Sequence, residues 1–293
     1  MLGTSASACD ICGCGVGGYY SGMLPQYHKN YIGLRWRFSS FSSDLGHEGE
    51  GINAFSKERF QSLELTGRFY PHRRVQILAF VPLSYNVRVA PEATNQLFGL
   101  GDVSVIALYN IYNTSFIEEK DLKHNLLAGV GIKAPTGSFK RKDAQGEQLT
   151  PSLQLGTGSV DFLTTVVYTM RYKRWGVNAN AIYKINLPNS DTYKFGNQLM
   201  VATTAFFLHK VKDSKWGIMP KLGLAFEHAN YNLKNGYKRV NTGGNQLIAT
   251  LGLEVYYKKI QLGVNYQQPT WQALSDGLVQ AGPRFSANVN YLF

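Results

Sequence analysis

The residues best suited to chemistry lie close to the N-terminus. All three cysteines fall at Cys9, Cys12 and Cys14, in the segment CDICGCG. A Cys-x-x-Cys spacing brings two sulfurs to one soft metal ion. A tetrahedral site then needs a further ligand, for which His28 and His47 stand nearest. The same thiols could instead close a local disulfide in an oxidising compartment, or Cys9 could carry a lipid, and the spacing leaves these readings open. Apart from a soft metal at this cluster, no cofactor is expected. Nucleophilic catalysis needs a histidine beside Ser, Cys or Asp. His72, His124 and His209 stand at or near short connections, while His47 and His228 lie near long ones with no companion Ser or Asp motif. The chain is therefore not expected to be an enzyme, with lipid modification the residual enzymatic reading.

The elements that would carry any other chemistry announce themselves by period. From residue 30 onward apolar and polar residues alternate, as in Ile32, Leu34, Trp36 and Phe38 against Gly33, Arg35, Arg37 and Ser39. The alternation recurs in twelve segments and ends with Phe285, Ala287, Val289, Tyr291 and Phe293. Strands of about 9–11 residues with one apolar and one polar face suit a tilted barrel that crosses a bilayer. Connections between them also alternate. Pro71–Arg74, Asn113–Leu122, Lys173–Arg174, Lys210–Lys215 and Lys258–Lys259 are short and mostly basic. Ser42–Ser56, Ala90–Leu100, Thr136–Gly158, Pro188–Lys194, Ala229–Thr242 and Gln268–Gly282 are longer and polar. Loops sorted by parity mark a transmembrane β-barrel, because each strand returns the chain to the opposite rim. Pro82 and Pro220 fall inside strands, where each removes a ladder donor, so bulges or bends are expected there.

Composition agrees with this reading. The 293 residues include 30 Gly, 18 Tyr and 16 Phe, with 17% charged residues and a net charge of +11. Apolar runs extend no further than Ile77–Leu83 and Leu126–Ile132, too short for a membrane-spanning helix. Mean hydropathy is −0.19, as expected when half of each strand faces lipid and half faces water. Ala6-Ser7-Ala8 matches a small-x-small signal-peptidase site, so residues 1–8 read as a signal-peptide remnant of a longer precursor. Residues 9–29 read as a Cys/Gly-rich segment that folds into the periplasmic mouth as a plug, and residues 30–293 as the barrel. The polar faces are rich in Asn, Gln, Ser, Thr and Gly, like a wet lumen. Their charges are Arg35, Arg37, Arg68, Arg88, Lys133, Arg171, Lys184 and Lys221 against Glu64, Asp102, Asp161, Glu227 and Glu254. These residues are the candidate lumen lining, most of them expected to pair across the wall. The remaining positive charge sits at the rims, where lipid phosphate and lipopolysaccharide are the expected counter-charges. Nucleic acid is not an expected partner, since no basic tract interleaves with stacking aromatics.

Three Gly-rich stretches follow in order: Gly99-Leu100-Gly101-Asp102, Lys133-Ala134-Pro135-Thr136-Gly137, and Gly156-Thr157-Gly158-Ser159-Val160-Asp161-Phe162. From about residue 60 to the terminal Phe293 the chain resembles the phenol meta-pathway degradation-like family of bacterial outer-membrane transporters. The resemblance implies an outer-membrane barrel that passes small solutes, often aromatic, and a C-terminal strand read by the outer-membrane assembly machinery. No substrate residue carries over from it, and the cysteine cluster is no part of it. The three stretches themselves read as rim architecture, with glycine and proline ending one strand and starting the next. The expected function is passive transport of small solutes, with metal handling at CDICGCG as the alternative.

Overall fold

The computed structural model describes residues 29–44, 55–91, 93–114, 121–211 and 214–293. Cys9, Cys12 and Cys14, the signal-peptide remnant and the proposed plug (Lys29 excepted) lie outside the described residues. So do His28, His47 and the connection 45–54.

Apart from a small sheet of Tyr193–Lys194, Leu233–Lys234 and Tyr237–Lys238, the strands close into one antiparallel barrel. They are β1 (Tyr31–Asp44), β2 (Phe55–His72), β3 (Val75–Val89), β4 (Thr94–Leu100, resumed at Ser104–Asn113), β5 (Leu122–Lys133) and β6 (Asp161–Tyr172). There follow β7 (Trp175–Asn186), β8 (Gln198–Phe207, resumed at His209–Lys210), β9 (Trp216–Ala229), β10 (Gly244–Tyr257), β11 (Ile260–Leu274) and β12 (Val279–Ala281, resumed at Arg284–Leu292). Each pairs with its neighbour in sequence, and β12 closes on β1 with Tyr31 opposite Leu292 and Phe38 opposite Phe285. Closure leaves no unpaired sheet edge, which is the condition for strands to cross lipid.

The outer surface is apolar all the way round. Ile32, Leu34, Val105, Ile111, Phe162, Val166, Leu222, Leu224, Leu251, Leu262 and Val289 are all exposed. No water-soluble barrel would present such a belt, whereas acyl chains cover it without cost. Trp175 packs on Phe207 at 4.6 Å and Trp216 on Tyr257 at 4.5 Å, both beside short turns. These pairs form part of an interfacial aromatic girdle. Lys173 and Lys258 adopt φ of 52° and 53°, the left-handed conformation of a two-residue hairpin turn.

Several strands run further than the alternation implied. Thr94–Leu100 is strand rather than loop, and Gln268–Leu274 continues β11. The connections Ala90–Leu100 and Gln268–Gly282 are correspondingly shorter than expected. The two prolines act on their neighbours more than on their own strands. Pro82 stays in register opposite Glu64, but β4 breaks at residues 101–103 beside it, and the Gly101 N–H bonds the Pro82 carbonyl at 2.9 Å. Pro220 stays opposite Leu253, and β8 breaks at Leu208 beside it. A missing N–H leaves the adjacent strand without a donor, so the ladder is interrupted there. The recorded register shifts lie elsewhere, between Phe69 and His72, Asn110 and Tyr112, and Leu247 and Ile248.

The connection between β5 and β6 folds back over the mouth of the barrel. Its short 3-10 turn, Pro151–Leu153, buries Leu153 completely. Leu149, Leu153 and Leu155 pack with Phe41, Phe60, Leu97, Leu274 and Val279 from the strand ends. Backbone groups enter with these leucines and must be satisfied. The Asn86 amide donates to the Leu153 carbonyl at 2.9 Å, and the Gln154 side chain bridges Arg141 and Leu149.

Candidate functional site

The inner wall is built at three heights. Around mid-height, β3 to β8 turn Leu78, Phe80, Ile106, Leu108, Leu127, Leu163, Val167, Ile182 and Met200 inward, each at most 4% exposed. This apolar layer interrupts an inward face expected to be dominated by Asn, Gln, Ser, Thr and Gly, of which Asn125, Thr165, Thr169, Asn178 and Asn180 are buried on the same strands. Its signal lay in the runs Ile77–Leu83 and Leu126–Ile132, where both faces of a strand are apolar and the alternation disappears.

The opposite arc, β9 to β12 with β1 and β2, is lined by charge and amide. Arg35 and Glu64 stand directly opposite one another in the β1–β2 register. The Arg35 Nε donates to Glu64 at 2.8 Å, and Arg37 pairs with the other oxygen of the same carboxylate. Lys221 donates to Glu254 at 2.5 Å, and Tyr256 donates its hydroxyl to that carboxylate as well. Arg284 bonds Glu227 at 3.1 Å, and Gln246 donates to Glu227 at 2.7 Å. Arg88 lies 3.6 Å from Glu58. Glu58 and Arg284 were not among the sequence candidates, although their alternation places them on the inward face. Arg68, 2% exposed, bonds the Lys29 carbonyl and lies over the rings of Tyr31 and Tyr70. Lys184 is buried in β7, and Arg171 is half-buried near the short-turn end of β6.

The three Gly-rich stretches converge at the long-loop end. Lys133, the last residue of β5, donates to Asp102 at 2.6 Å and to Asp161 at 2.7 Å, with Thr157 also bonded to its amine. Asp102 accepts from the backbone of Gly137 at 3.0 Å and of Thr157 at 2.9 Å, so one carboxylate holds both ends of the folded-in connection. Thr136 closes the same knot, donating to the Gly101 carbonyl at 2.7 Å and accepting from the Val103 N–H. Asp161 accepts from Ser159 and from the backbone of Leu187. Two carboxylates on one buried lysine, with backbone donors filling their remaining lone pairs, satisfy the conditions for burying charge.

Outside this clasp the connections 134–160, 187–197 and 230–243 line an open-sided cavity of about 260 Å³. Phe139, Tyr193 and Phe195 form one wall, and Asn189, Lys234 and Arg239 contribute polar groups. The Asp191 carboxylate at its edge is held below the usual range, first by the hydrogen bond from Lys140.

Similarity to known proteins follows this architecture. An outer-membrane channel of Pseudomonas putida F1 superposes with a TM-score of 0.65 at 15% identity, covering 94% of this chain and 98% of that chain. The β-domain of the Bordetella autotransporter BrkA gives 0.51 at 11% identity, covering 90% and 99%. At such identities the likeness is one of fold. No curated protein matches in sequence. The family model described as "Putative MetA-pathway of phenol degradation" matches residues 51–217, a span that contains all three converging stretches and stops short of the C-terminal strands. The chain is a β-barrel of the bacterial outer membrane and belongs to that family.

Proposed function

We propose that the barrel is a channel through which small, largely hydrophobic solutes cross the outer membrane without energy input. The observation that carries this reading is the division of the inner wall. An apolar layer spans β3 to β8 and faces an arc of paired charges and amides on β9 to β2. The two arcs touch in the interior, with Arg35 over the Phe80 ring at 5.4 Å, so a solute with an apolar body and a polar edge passes by parting surfaces that suit both its ends. Ion pairing holds the charged side chains to the wall, so they shape the passage instead of binding the solute tightly. The folded-in connection narrows the mouth and sets an upper limit on solute size.

His228 bonds Asn245 and Asn230, and His124 bonds the Tyr168 hydroxyl, neither beside a nucleophile and carboxylate. Solute flux tests the proposal directly. Proteoliposomes holding the purified barrel should admit benzenesulfonate, an aromatic anion that bare lipid holds back, faster than protein-free liposomes and exclude sugars of trisaccharide size. Equal rates with and without protein would overturn the channel reading.

A further inference from the structure

We propose that the cavity between the connections 134–160, 187–197 and 230–243 is a capture site for small aromatic anions, of which an aryl carboxylate is the simplest. The inference rests on the channel reading only in treating the cavity as a stop on the way to the lumen.

Size comes first. A dry cavity of about 150 Å³ holds benzene, so about 260 Å³ accommodates one ring with a carboxylate substituent. The wall chemistry selects the ring. Tyr193 and Phe195 meet edge to face at 5.1 Å, and both are buried. The Tyr193 hydroxyl accepts from Asn232 at 2.8 Å, which locks that ring in place. Phe139 lies on the backbone of Gly158, whose φ of +69° and lack of a side chain admit it; an added Cβ would come within 2.4 Å of the ring. Three preset aromatic faces fit a flat apolar body better than a flexible one.

The charges select the anion. Asp191 is the acidic residue of the lining, and Lys140 already neutralises it at 2.7 Å. Lys234 is tethered by a 2.6 Å bond to the Asp191 carbonyl and its charge also acts on the Asp191 carboxylate, so two lysines share one carboxylate and the rim keeps a positive excess. Among the described residues neither Lys234 nor Arg239 has a carboxylate within ion-pair distance. Arg239 is exposed at the entrance, where its planar fork can take both oxygens of an incoming carboxylate.

Calorimetric titration of the purified full-length protein in detergent tests the assignment with three probes. Sodium benzoate has ring and charge, benzyl alcohol the ring alone, and sodium acetate the charge alone. Benzoate should bind saturably and more tightly than either comparator. Arg239→Gln should weaken benzoate about tenfold while leaving benzyl alcohol unchanged, and Phe139→Ala should weaken both. Both residues are at least partly exposed, and retention of the barrel's β circular dichroism checks that the variants fold. Absence of saturable benzoate binding, acetate binding as well as benzoate, or an Arg239→Gln variant that binds benzoate normally would each overturn the proposal. Flux into proteoliposomes separates the two readings. Flux without benzoate binding sinks the capture site alone, and binding without flux sinks the channel alone.

Discussion

Two arcs of one wall solve the same burial problem by opposite means. Across β3 to β8 a layer of Leu, Ile, Val, Phe and Met turns inward and needs no partners, with Asn125, Thr165, Thr169, Asn178, Asn180 and Lys184 buried on the same strands beside it. Across β9 to β2 the layer is mostly Arg, Lys, Glu, Asn and Gln, each requiring a specific neighbour, with Met219 and Ile248 buried among them. The apolar arc is held by packing, which declines gradually as atoms are removed. The charged arc is held by pairing, which fails at once when a single partner leaves. A channel built with one arc of each kind has a passage that is greasy on one side and fixed in electrostatic pattern on the other.

The sharpest way to break this contrast is to remove one carboxylate that serves two cations. Glu64→Ala leaves Arg35 and Arg37 facing each other, and should cost about 3–5 kcal/mol in urea unfolding monitored by gel mobility. Ile106→Ala, in the fully buried middle of the apolar layer, should cost about 2–4 kcal/mol in the same assay, and Ile106→Val about 1. If the alanine and valine variants lose equal stability, the apolar arc is not close-packed. Asp102→Asn keeps Lys133 paired to Asp161 but weakens the hold on Gly137 and Thr157. It should cost about 1–2 kcal/mol, and single-channel conductance should rise as the connection loosens. Unchanged conductance would show that this connection does not set the pore width.

The smallest expected effect is at the rim. Asp191 titrates below its ordinary value of 3.8 because Lys140 bonds it. A depressed carboxylate contributes stability that is present above the unfolded value and lost as pH falls through the folded one. The difference between wild type and Asp191→Asn should thus be small at pH 6 and shrink as pH falls below 3.8, measured by the midpoint of urea unfolding.

Much of the barrel is legible in the alternation. A strand between lipid and water must switch polarity at every residue, and β12 does so from Arg284 to Tyr291 without exception, as does β1 from Ile32 to Ser39. Legibility fails where the inner face is itself apolar. Leu78 and Phe80 sit among Ile77, Ala79 and Val81, so both faces of β3 look alike and the apolar layer hides in the run. It fails again in the connection 134–160, whose polar composition suggests solvent while Leu149, Leu153 and Leu155 turn inward. Of the candidate charges, the inward alternation names the residues, but their partners depend on strand register. That Arg35 meets Glu64 follows from β1 pairing with β2 at that offset, and Arg284 reaches Glu227 only because the barrel curves them together. The stretches around Gly99, Lys133 and Gly156 read as rim turns; that they form a single knot is a tertiary fact with no local signature.

That knot has a consequence for assembly. Lys133 stands directly opposite Asp161 in the β5–β6 pairing, and Asp102 enters from just before Ser104, its opposite number in β4. A slip of one residue in either ladder would swing a charged group from the interior to the acyl chains. Misaligned strands therefore forfeit both ion pairs and expose a charge to lipid in a single step. The lysine works as a proofreader of alignment, and the mouth of the barrel is secured only once three successive strands have been inserted in frame.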